Sequence, residues 1–262
     1  LKKPNLYILN FQLNLDSANF SDISQPNKSQ GSYASSFPDG YEPDPYSEFP
    51  RDIFISGINT APLSVDLDLA LQRKQSQFQA GIFALNKLTD GNVHITYSED
   101  TVSDTMLETK GAVHHTISGP HPAGNIGIQI HHIAPLNLKD IVWTLNAQDV
   151  VRIGTFFLTG ELDVSNITTV VGPSIKKPAH YISRIGNEMK SIVHENLQDG
   201  NFRLISGDVL TGETSSLEDY SNFYDTTITA IPGAQTYTSQ PGSLYALAFP
   251  GTDKSLISGF FT

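Results

Sequence analysis

The chain has 262 residues, a net charge of −11 and no cysteine, and it is long enough for one large domain or two ordinary ones. The acidic charge argues against nucleic acid as a partner, because a surface of this sign repels phosphate groups. The missing cysteine excludes disulfides, thiol catalysis and cysteine-bound iron–sulfur clusters from this part of the polypeptide, and no window holds the roughly 20 apolar residues that span a bilayer.

Residues 1–49 are predicted to be an irregular lead-in that is rich in proline and serine. Apolar residues alternate within residues 6–15, which favours a short strand near the start. From Pro26 onward, repeated prolines exclude a helix interior, because proline lacks the backbone donor that a helix needs. We expect this segment to wrap on the following domain through its aromatic residues.

Residues 50–160 are predicted to form a Rossmann-like α/β domain. Asp66 begins a helical stripe of apolar residues, and Asn146 is expected to cap another helix with Gln148 and Asp149 in its first turn. Strands that alternate with helices favour a layered domain with a mainly parallel sheet. The predicted strands are residues 52–58, 93–97, 112–117 and 141–145, the predicted helices are residues 66–88 and 146–157, and residues 126–130 suit either state.

Residues 161–240 are predicted to form a β-grasp domain. The pattern changes after Gly160, where β-branched runs become frequent, as in strands. A pair of strands, one helix and further strands make up the plan of this fold. The predicted strands are residues 164–171, 180–185, 202–206 and 226–231, the predicted helix is residues 187–196, and residues 241–262 are expected to begin a truncated carboxy-terminal region.

Histidines are concentrated in one part of the chain, where they could bind zinc or shuttle protons. His114 and His115 are neighbours on a predicted strand, so they should point to opposite faces and not chelate one ion. The same strand geometry is expected for His131 and His132. No cysteine or H-E-x-x-H motif accompanies these residues. We therefore predict structural histidines and no metal site.

Gly124 and Gly127 follow a predicted strand, where a glycine-rich turn can hold a phosphate on backbone N–H groups. Their spacing is G-x-x-G, whereas the dinucleotide fingerprint needs G-x-G-x-x-G and a later acidic residue. The strand predicted at residues 52–58 is followed by Asn-Thr-Ala-Pro, without glycine. The sequence therefore favours a Rossmann-like domain that lacks its nucleotide loop over a working NAD or FMN site.

The remaining candidates for chemistry are weaker. Ser118 and Ser206 precede glycines but lie outside a G-x-S-x-G motif. Glu161 and Asp163 suit a solvated loop. Trp143 is flanked by apolar residues and is most simply a core residue, and the alternative is that it lines a slot for a quinone headgroup.

Four stretches of the chain carry a family resemblance. They read SGPHPAGNIGIQIHHI from Ser118, VWTLNAQDVVRIGTFFLTGE from Val142, VGPSIKKP from Val171 and LISGDVLTGE from Leu204. In this order they resemble the NqrA subunit of the Na+-translocating NADH:quinone reductase (the Nqr complex), and the chain looks like a central fragment of NqrA. The resemblance implies that residues 161–240 form a soluble ligand-binding β-grasp (SLBB) domain.

The resemblance also implies a function. The complex oxidises NADH, reduces ubiquinone or menaquinone and moves Na+. NqrA would dock on the membrane subunits, especially the quinone-associated one, at the cytoplasmic side of the bacterial inner membrane, with a proposed part in quinone binding. NADH, FAD, FMN and the iron–sulfur centres would belong to other subunits, which leaves quinone as the one candidate ligand. The fragment alone is expected to catalyse nothing.

The candidates for ligand or subunit contact surround the glycine run and the helix after Asn146. Prolines should stiffen the loop at residues 119–127 and glycines should let another chain approach it, although a plain turn is an equal alternative. Two other functions stay open, namely a stand-alone β-grasp module for a small ligand and a flavin-binding electron-transfer subunit. The candidate residues are His121, Pro122, Gly124, Gly127, His131, His132, Trp143, Gln148 and Asp149.

Overall fold

A computed structural model describes residues 5–8, 49–138 and 140–233, and for residues 5–8 it describes the backbone alone. The described residues form two compact units. The first contains residues 5–8, 49–60 and 66–163, and the second contains residues 61–65 and 164–233. Most of the predicted lead-in and all of the region predicted at residues 241–262 lie outside the described residues.

One sheet of five parallel strands organises the first unit. The strands are β1 (Asn5–Ile8), β2 (Asp52–Ser56), β3 (Val93–Ser98), β4 (Val113–Ile117) and β5 (Ile141–Asn146). The helices are α1 (Leu67–Ala70), α2 (Gln75–Leu85), α3 (Asp104–Leu107), α4 (Ile126–Ile133) and α5 (Ala147–Thr159). The strands lie in the order β1-β5-β2-β3-β4, which confirms the predicted layered α/β fold with a parallel sheet.

One face of this sheet packs against α2 and α5. Ile53, Ile55 and Ile95 are fully buried there, because the helices exclude water from the strands that they cover. The two helices approach each other through glycine. A Cβ atom added at Gly154 of α5 would lie 1.7 Å from the carbonyl oxygen of Gln77 in α2. The missing side chain therefore lets the two backbones touch.

The opposite face of the sheet carries α4 and is more polar. Phe54, Ile130 and Val142 form a small apolar cluster on this face. Thr96 and Gln129 are buried as well, at 0% and 1% exposure. Buried polar side chains need hydrogen-bond partners, so this face requires a polar network as well as apolar packing.

Three parts of the first unit differ from the prediction. The stripe predicted as one helix is divided into α1 and α2, because the chain turns at Arg73, whose φ is +61°. Residues 126–130 lie in α4, and His131 and His132 lie in its last turn, so the strand geometry expected for these histidines is wrong. A short apolar run has too little periodicity to separate helix from strand. The helix α3 was missed because its four residues are too few to show a helical pattern.

The second unit has its own five-stranded sheet and one short helix. The strands are β6 (Ser165–Val171), β7 (Ala179–Arg184), β8 (Phe202–Ser206), β9 (Glu213–Ser215) and β10 (Thr227–Pro232). The helix is α6 (Met189–Val193), which continues into a single 3-10 turn at His194–Asn196. The predicted strands and helix all occur, and β9, with three residues, was missed.

The strand order in the second unit is β7-β6-β10-β8-β9. The central strands β6 and β10 are parallel, and the other neighbours are antiparallel. Met189 and Val193 of α6 are fully buried against Val170 and Ile228 of these central strands. A mixed sheet that carries one helix between its hairpins is the predicted β-grasp fold. None of the helices in the described ranges is long and apolar enough to cross a membrane.

Candidate functional site

The carboxyl ends of the parallel strands form one edge of the first sheet, and α/β sheets bind ligands outside this edge. His121, Pro122 and Gly124 lie in the loop between β4 and α4, and Gln148 and Asp149 follow β5. The structure therefore places these five sequence candidates beyond the carboxyl ends of two strands. This edge includes the loop after β2, the loop at residues 119–127 and the amino terminus of α5.

Thr60, in the loop after β2, anchors the loop at residues 119–127. The N–H group of Gly124 donates to Thr60 Oγ1 at 2.8 Å, and Thr60 Oγ1 lies 3.2 Å from His121 Nδ1. Since the hydroxyl oxygen accepts from Gly124, its own proton can be donated to His121 Nδ1, which leaves the proton of the neutral ring on Nε2. A Cβ atom on Gly124 would lie 2.5 Å from the backbone nitrogen of Thr60, so this approach requires glycine.

Gln129 holds the same loop from the side of the sheet. Its buried side chain accepts a hydrogen bond from Thr96 Oγ1 at 2.6 Å. Its amide group donates to the carbonyl oxygen of Gly124 at 3.0 Å, and to that of Ala123 at 3.4 Å. The loop is therefore fixed through both Thr60 and Gln129, although several of its residues reach solvent.

The remaining candidates near this loop lie on the exposed side of α4. Gly127, His131 and His132 are exposed, and no atom lies within 4 Å of a Cβ atom built on Gly127. The rings of His131 and His132 meet edge to face with their centroids 5.4 Å apart. Ile128 is 41% exposed and adds an apolar group. The structure thus brings these residues together on the solvent-exposed side of α4.

The amino terminus of α5 is closed by its own side chains, as predicted for Asn146. Asn146 accepts from the N–H group of Gln148 at 3.0 Å, and Asp149 accepts from the N–H group of Asn146 at 3.3 Å, which completes a capping box. Asp149 also pairs with Arg152. A nucleotide phosphate would bind such a helix end through free N–H groups and the positive end of the helix dipole. Here an amide oxygen and a carboxylate occupy that position, and Asp66 likewise caps α1.

Trp143 lies within β5 and away from this edge. It pairs with Ile53 of β2, so it shares the face that packs against α2 and α5. Its side chain is partly buried and packs against the apolar core of that face. The structure therefore does not bring Trp143 together with the loop at residues 119–127.

A polar chain runs across β2, β3 and β4 on the face that carries α4. His94 Nε2 lies 3.6 Å from Asp52 Oδ1, and His94 Nδ1 lies 2.9 Å from His115 Nε2. Arg51 donates from Nε to Asp52 at 2.7 Å and also pairs with Asp140. An ionised Asp52 favours the proton of a neutral His94 on Nε2, so His94 Nδ1 accepts from the Nε2–H group of His115.

His114 and His115 point to opposite faces of the sheet, which confirms the prediction. The ring of His114 contacts Tyr97 edge to face, and its Nε2 lies 2.8 Å from the carbonyl oxygen of Thr109. His115 instead joins the polar chain through His94. Across residues 49–138 and 140–233, no three histidine or acidic side chains are grouped so that they could hold a metal ion.

The stability of the first unit is predicted to depend on pH through His94. Burial lowers the pKa of His94 and outweighs the opposing effect of Asp52, and burial also lowers the pKa of His115. The unfolded chain therefore takes up protons below its ordinary histidine pKa of 6.5, whereas the folded chain resists them. We expect the free energy of unfolding to rise from about pH 5 to about pH 7.

The measurement for this prediction is urea unfolding followed by the fluorescence of Trp143, at several pH values. His94→Gln removes the titrating ring and serves as the matched control, so its unfolding free energy should vary less over the same pH range. Equal pH dependence in the two proteins would contradict the role given to His94.

Sequence reasoning missed the residues that organise this edge and the polar chain. Gln129 carried a usable signal, because an amide among the isoleucines of IGIQIHHI needs a buried partner. The sequence around Thr60 and around His94 carried no such signal. The partners His121 and His115 lie 61 and 21 residues further along the chain, so local patterns contain no information about these pairs.

Comparison with known proteins gives matches along most of the chain. The family model of the NqrA second alpha/beta domain matches residues 38–162, and the model of the NQRA C-terminal domain (SLBB) matches residues 167–216. The NqrA subunit of the Na(+)-translocating NADH-quinone reductase from Serratia proteamaculans (strain 568) is 31% identical over 207 residues, which are 79% of this chain and 42% of that protein. NqrA from Marinomonas sp. (strain MWYL1) is 37% identical over 167 residues, or 62% of this chain and 36% of that protein.

The similarity to solved structures is more distant. The NAD+-reducing NiFe hydrogenase in the air-oxidized state superposes with a TM-score of 0.53 at 12% identity, over 71% of this chain and 41% of that chain, which shows a shared fold alone. This chain spans less than half the length of the two curated relatives. The two family models nevertheless follow each other in order and together match about two thirds of the chain. The chain therefore belongs to the NqrA family of the Na(+)-translocating NADH-quinone reductase.

Proposed function

We propose that this chain is the central part of a peripheral subunit of the Na(+)-translocating NADH-quinone reductase, and that it docks on membrane subunits through the loop at residues 119–127. The observation that carries the proposal is the fixed geometry of this loop. Thr60 and Gln129 hold it from two sides, while Pro122 remains exposed. A surface that is ordered before contact loses little conformational entropy on binding.

The exposed side of α4 extends this proposed contact surface. Gly127 offers a backbone that another chain can approach closely, and Ile128 offers an apolar group. His131 and His132 add amphipathic rings that can either donate or accept hydrogen bonds. We place the docking partner among the membrane subunits, especially the quinone-associated one, at the cytoplasmic side of the bacterial inner membrane.

We further propose that the redox cofactors of the complex are bound elsewhere. The capping box at α5 and the carboxylate cap at α1 support this assignment, because both place negative groups where a nucleotide phosphate would bind. NADH, FAD, FMN and the iron–sulfur centres then belong to other subunits. Residues 50–160 would serve as a Rossmann-like scaffold and residues 161–240 as the SLBB-type β-grasp domain.

Quinone is the one ligand that we propose for this part of the protein. In the tautomer in which His121 Nδ1 accepts from the hydroxyl group of Thr60, the proton of the neutral ring is on Nε2, and the ring is only partly buried. A quinone carbonyl oxygen is an acceptor for such a donor. Ubiquinone and menaquinone share this carbonyl chemistry, so the loop could assist quinone binding at the contact with the membrane subunits.

The purified chain is expected to be colourless and to bind neither NADH nor FMN, because the glycine fingerprint is missing and the amino termini of α1 and α5 are occupied by their own capping side chains. Titration calorimetry checks binding, and the visible absorbance of the pure protein checks for flavin. A dissociation constant tighter than about 1 μM for either nucleotide would contradict the proposal and favour the flavin-binding alternative.

The role within the reductase is tested by co-purification of the full-length protein from membranes. The tagged protein is expected to retain the membrane flavoprotein subunits of the reductase, together with NADH:quinone reductase activity. A tagged protein that retains no membrane protein, but retains a small molecule, would instead be a stand-alone β-grasp ligand-binding module.

A further inference from the structure

Strand β7 forms an outer edge of the sheet in the second unit, among the strands that the structure describes. In β6, the N–H group of Thr169 donates to the carbonyl oxygen of Thr226, which lies toward β10. Backbone groups of successive strand residues point in opposite directions, so Thr168 points its groups toward Tyr181, its partner in β7. The next residue of β7, Ile182, therefore directs its N–H and C=O groups away from the sheet.

A hydrogen bond at the other end of β7 shows that Arg184 also faces away from the sheet. The N–H group of Ile185, just after β7, donates to the carbonyl oxygen of Val164, just before β6. Arg184 must therefore point its backbone groups outward, as Ile182 does. The carbonyl oxygen of Arg184 accepts from the N–H group of Asn187 at 3.2 Å, in the turn after β7. Within the part of the chain that the structure describes, the N–H and C=O groups of Ile182 and the N–H group of Arg184 have no backbone partner on the outer side.

The side chains of β7 do little to protect this edge. Ile182 is 82% exposed, the highest value among the large apolar side chains of the described residues. Ser183 beside it is buried, and its hydroxyl group lies 2.7 Å from that of Thr168. Proline, bulges and inward-pointing charges usually block sheet edges, and Ala179–Arg184 contains no proline and pairs in continuous register. Such an edge can template one further strand.

Charge indicates the kind of strand that this edge would accept. Lys176 and Lys177 precede β7 and Arg184 ends it, and all three are exposed in a chain whose net charge is −11. None of the three forms an ion pair with a described residue. The opposite edge of the sheet begins instead with the exposed Glu213 of β9. An acidic segment would therefore be attracted to β7 and repelled by β9.

We propose that β7 receives an extended acidic segment of another subunit as a sixth strand of this sheet. The inference rests on the proposed function, since the partner belongs to the same reductase. The outward N–H and C=O groups of Ile182 and the outward N–H group of Arg184 would hold the segment by hydrogen bonds, and the exposed side chain of Ile182 would pack against an apolar residue in it. The flanking cations select a partner of negative charge.

Site-resolved hydrogen exchange in the full-length protein, free and within the purified complex, tests the proposal. We expect the amides of Ile182 and Arg184 to exchange at least about tenfold more slowly in the complex. The amide of Ser183 points to β6 and should be protected in both states, so it serves as the internal control. An intact complex in which Ile182 and Arg184 exchange as fast as in the free protein would overturn the proposal.

Other occupants of the edge would give different results. Slow exchange already in the free protein would assign the edge to another segment of the same polypeptide, and protection that rises with protein concentration would assign it to a second copy. Either result overturns the proposal and leaves the role within the reductase intact. The absence of any complex would overturn the proposed function and this inference together.

Substitutions on β7 separate the backbone contribution from the side-chain contribution. Ile182→Pro removes an N–H group that the sheet does not use, so the protein should fold but retain at least about tenfold less partner. Ile182→Thr keeps the donor and should cost less. Arg184→Glu reverses an exposed charge and should also lower retention of the partner. This variant tests the proposal if Ile182→Pro fails to fold. Full retention of the partner by a folded Ile182→Pro variant, or by Arg184→Glu, would overturn the proposal.

Discussion

Gly154→Ala is expected to lower the free energy of unfolding of the first unit by about 3 kcal/mol. Alanine has the higher helix propensity, so a destabilising effect can come only from packing. The added Cβ atom would lie 1.7 Å from the carbonyl oxygen of Gln77 and 2.7 Å from the backbone nitrogen of Gly81. These are backbone atoms of α2, and they can move only if the two helices separate. Urea unfolding followed by the fluorescence of Trp143 measures the loss.

Gly127→Ala is the matched control for this prediction. Gly127 is also a helical glycine, but no atom lies within 4 Å of its Cβ position. Here propensity alone should act, and the substitution should stabilise the protein by up to about 1 kcal/mol. If both alanine variants unfolded at the same urea concentration as the original chain, the close contact between α2 and α5 would not be a source of stability.

Gly124→Val is expected to reduce assembly of the full-length protein into the reductase at least about tenfold, while the isolated chain stays folded. Its Cβ atom would lie 2.5 Å from the backbone nitrogen of Thr60 and 2.7 Å from its hydroxyl oxygen, so the loop at residues 119–127 must leave its anchor. Co-purification of the membrane subunits measures assembly. Gly160→Asn is the control, because Gly160 ends α5 with φ of +76°, which asparagine tolerates, and its Cβ position is open.

His121→Ala separates docking from ligand binding at the same loop. It removes the ring but keeps the hydrogen bond between Gly124 and Thr60. Loss of quinone-reductase turnover with assembly intact would favour a role in quinone binding. Normal assembly and normal turnover in both His121→Ala and Gly124→Val would leave the loop as a plain turn, against the proposed function.

Local signals in the sequence predicted most of the fold. Asn146, followed by Gln148 and Asp149, predicts the start of α5, because capping depends on residues that are close together in the sequence. The β-branched run of β6 predicts a strand for a similarly local reason. Elements of three or four residues, such as β9 and α3, are too short for a periodic pattern to repeat clearly, and they were missed.

The candidate site was predicted less completely, because its geometry depends on distant pairs. The loop at residues 119–127 stands out by composition, yet it is anchored by Thr60, which lies in the loop after β2, about 60 residues earlier in the chain. His115 was recognised as a member of a histidine pair with His114. Its partner in the structure is His94, on the neighbouring strand. Such contacts depend on the order of the strands in the sheet, and the residue pattern of a single strand carries no information about that order.

The pairing of β1 with β5 imposes an order on biosynthesis. Asn5 lies opposite Ile141, more than 130 residues later in the chain. At about 5–20 residues per second, β1 emerges from the ribosome on the order of ten seconds before its partner strand exists. Long-range parallel pairing also forms slowly, because the chain between the two strands must lose conformational entropy before their stabilising contacts can form. The nascent polypeptide therefore carries β1 without its partner strand during this interval, and we expect chaperones to engage the ribosome-bound chain until residue 146 has emerged.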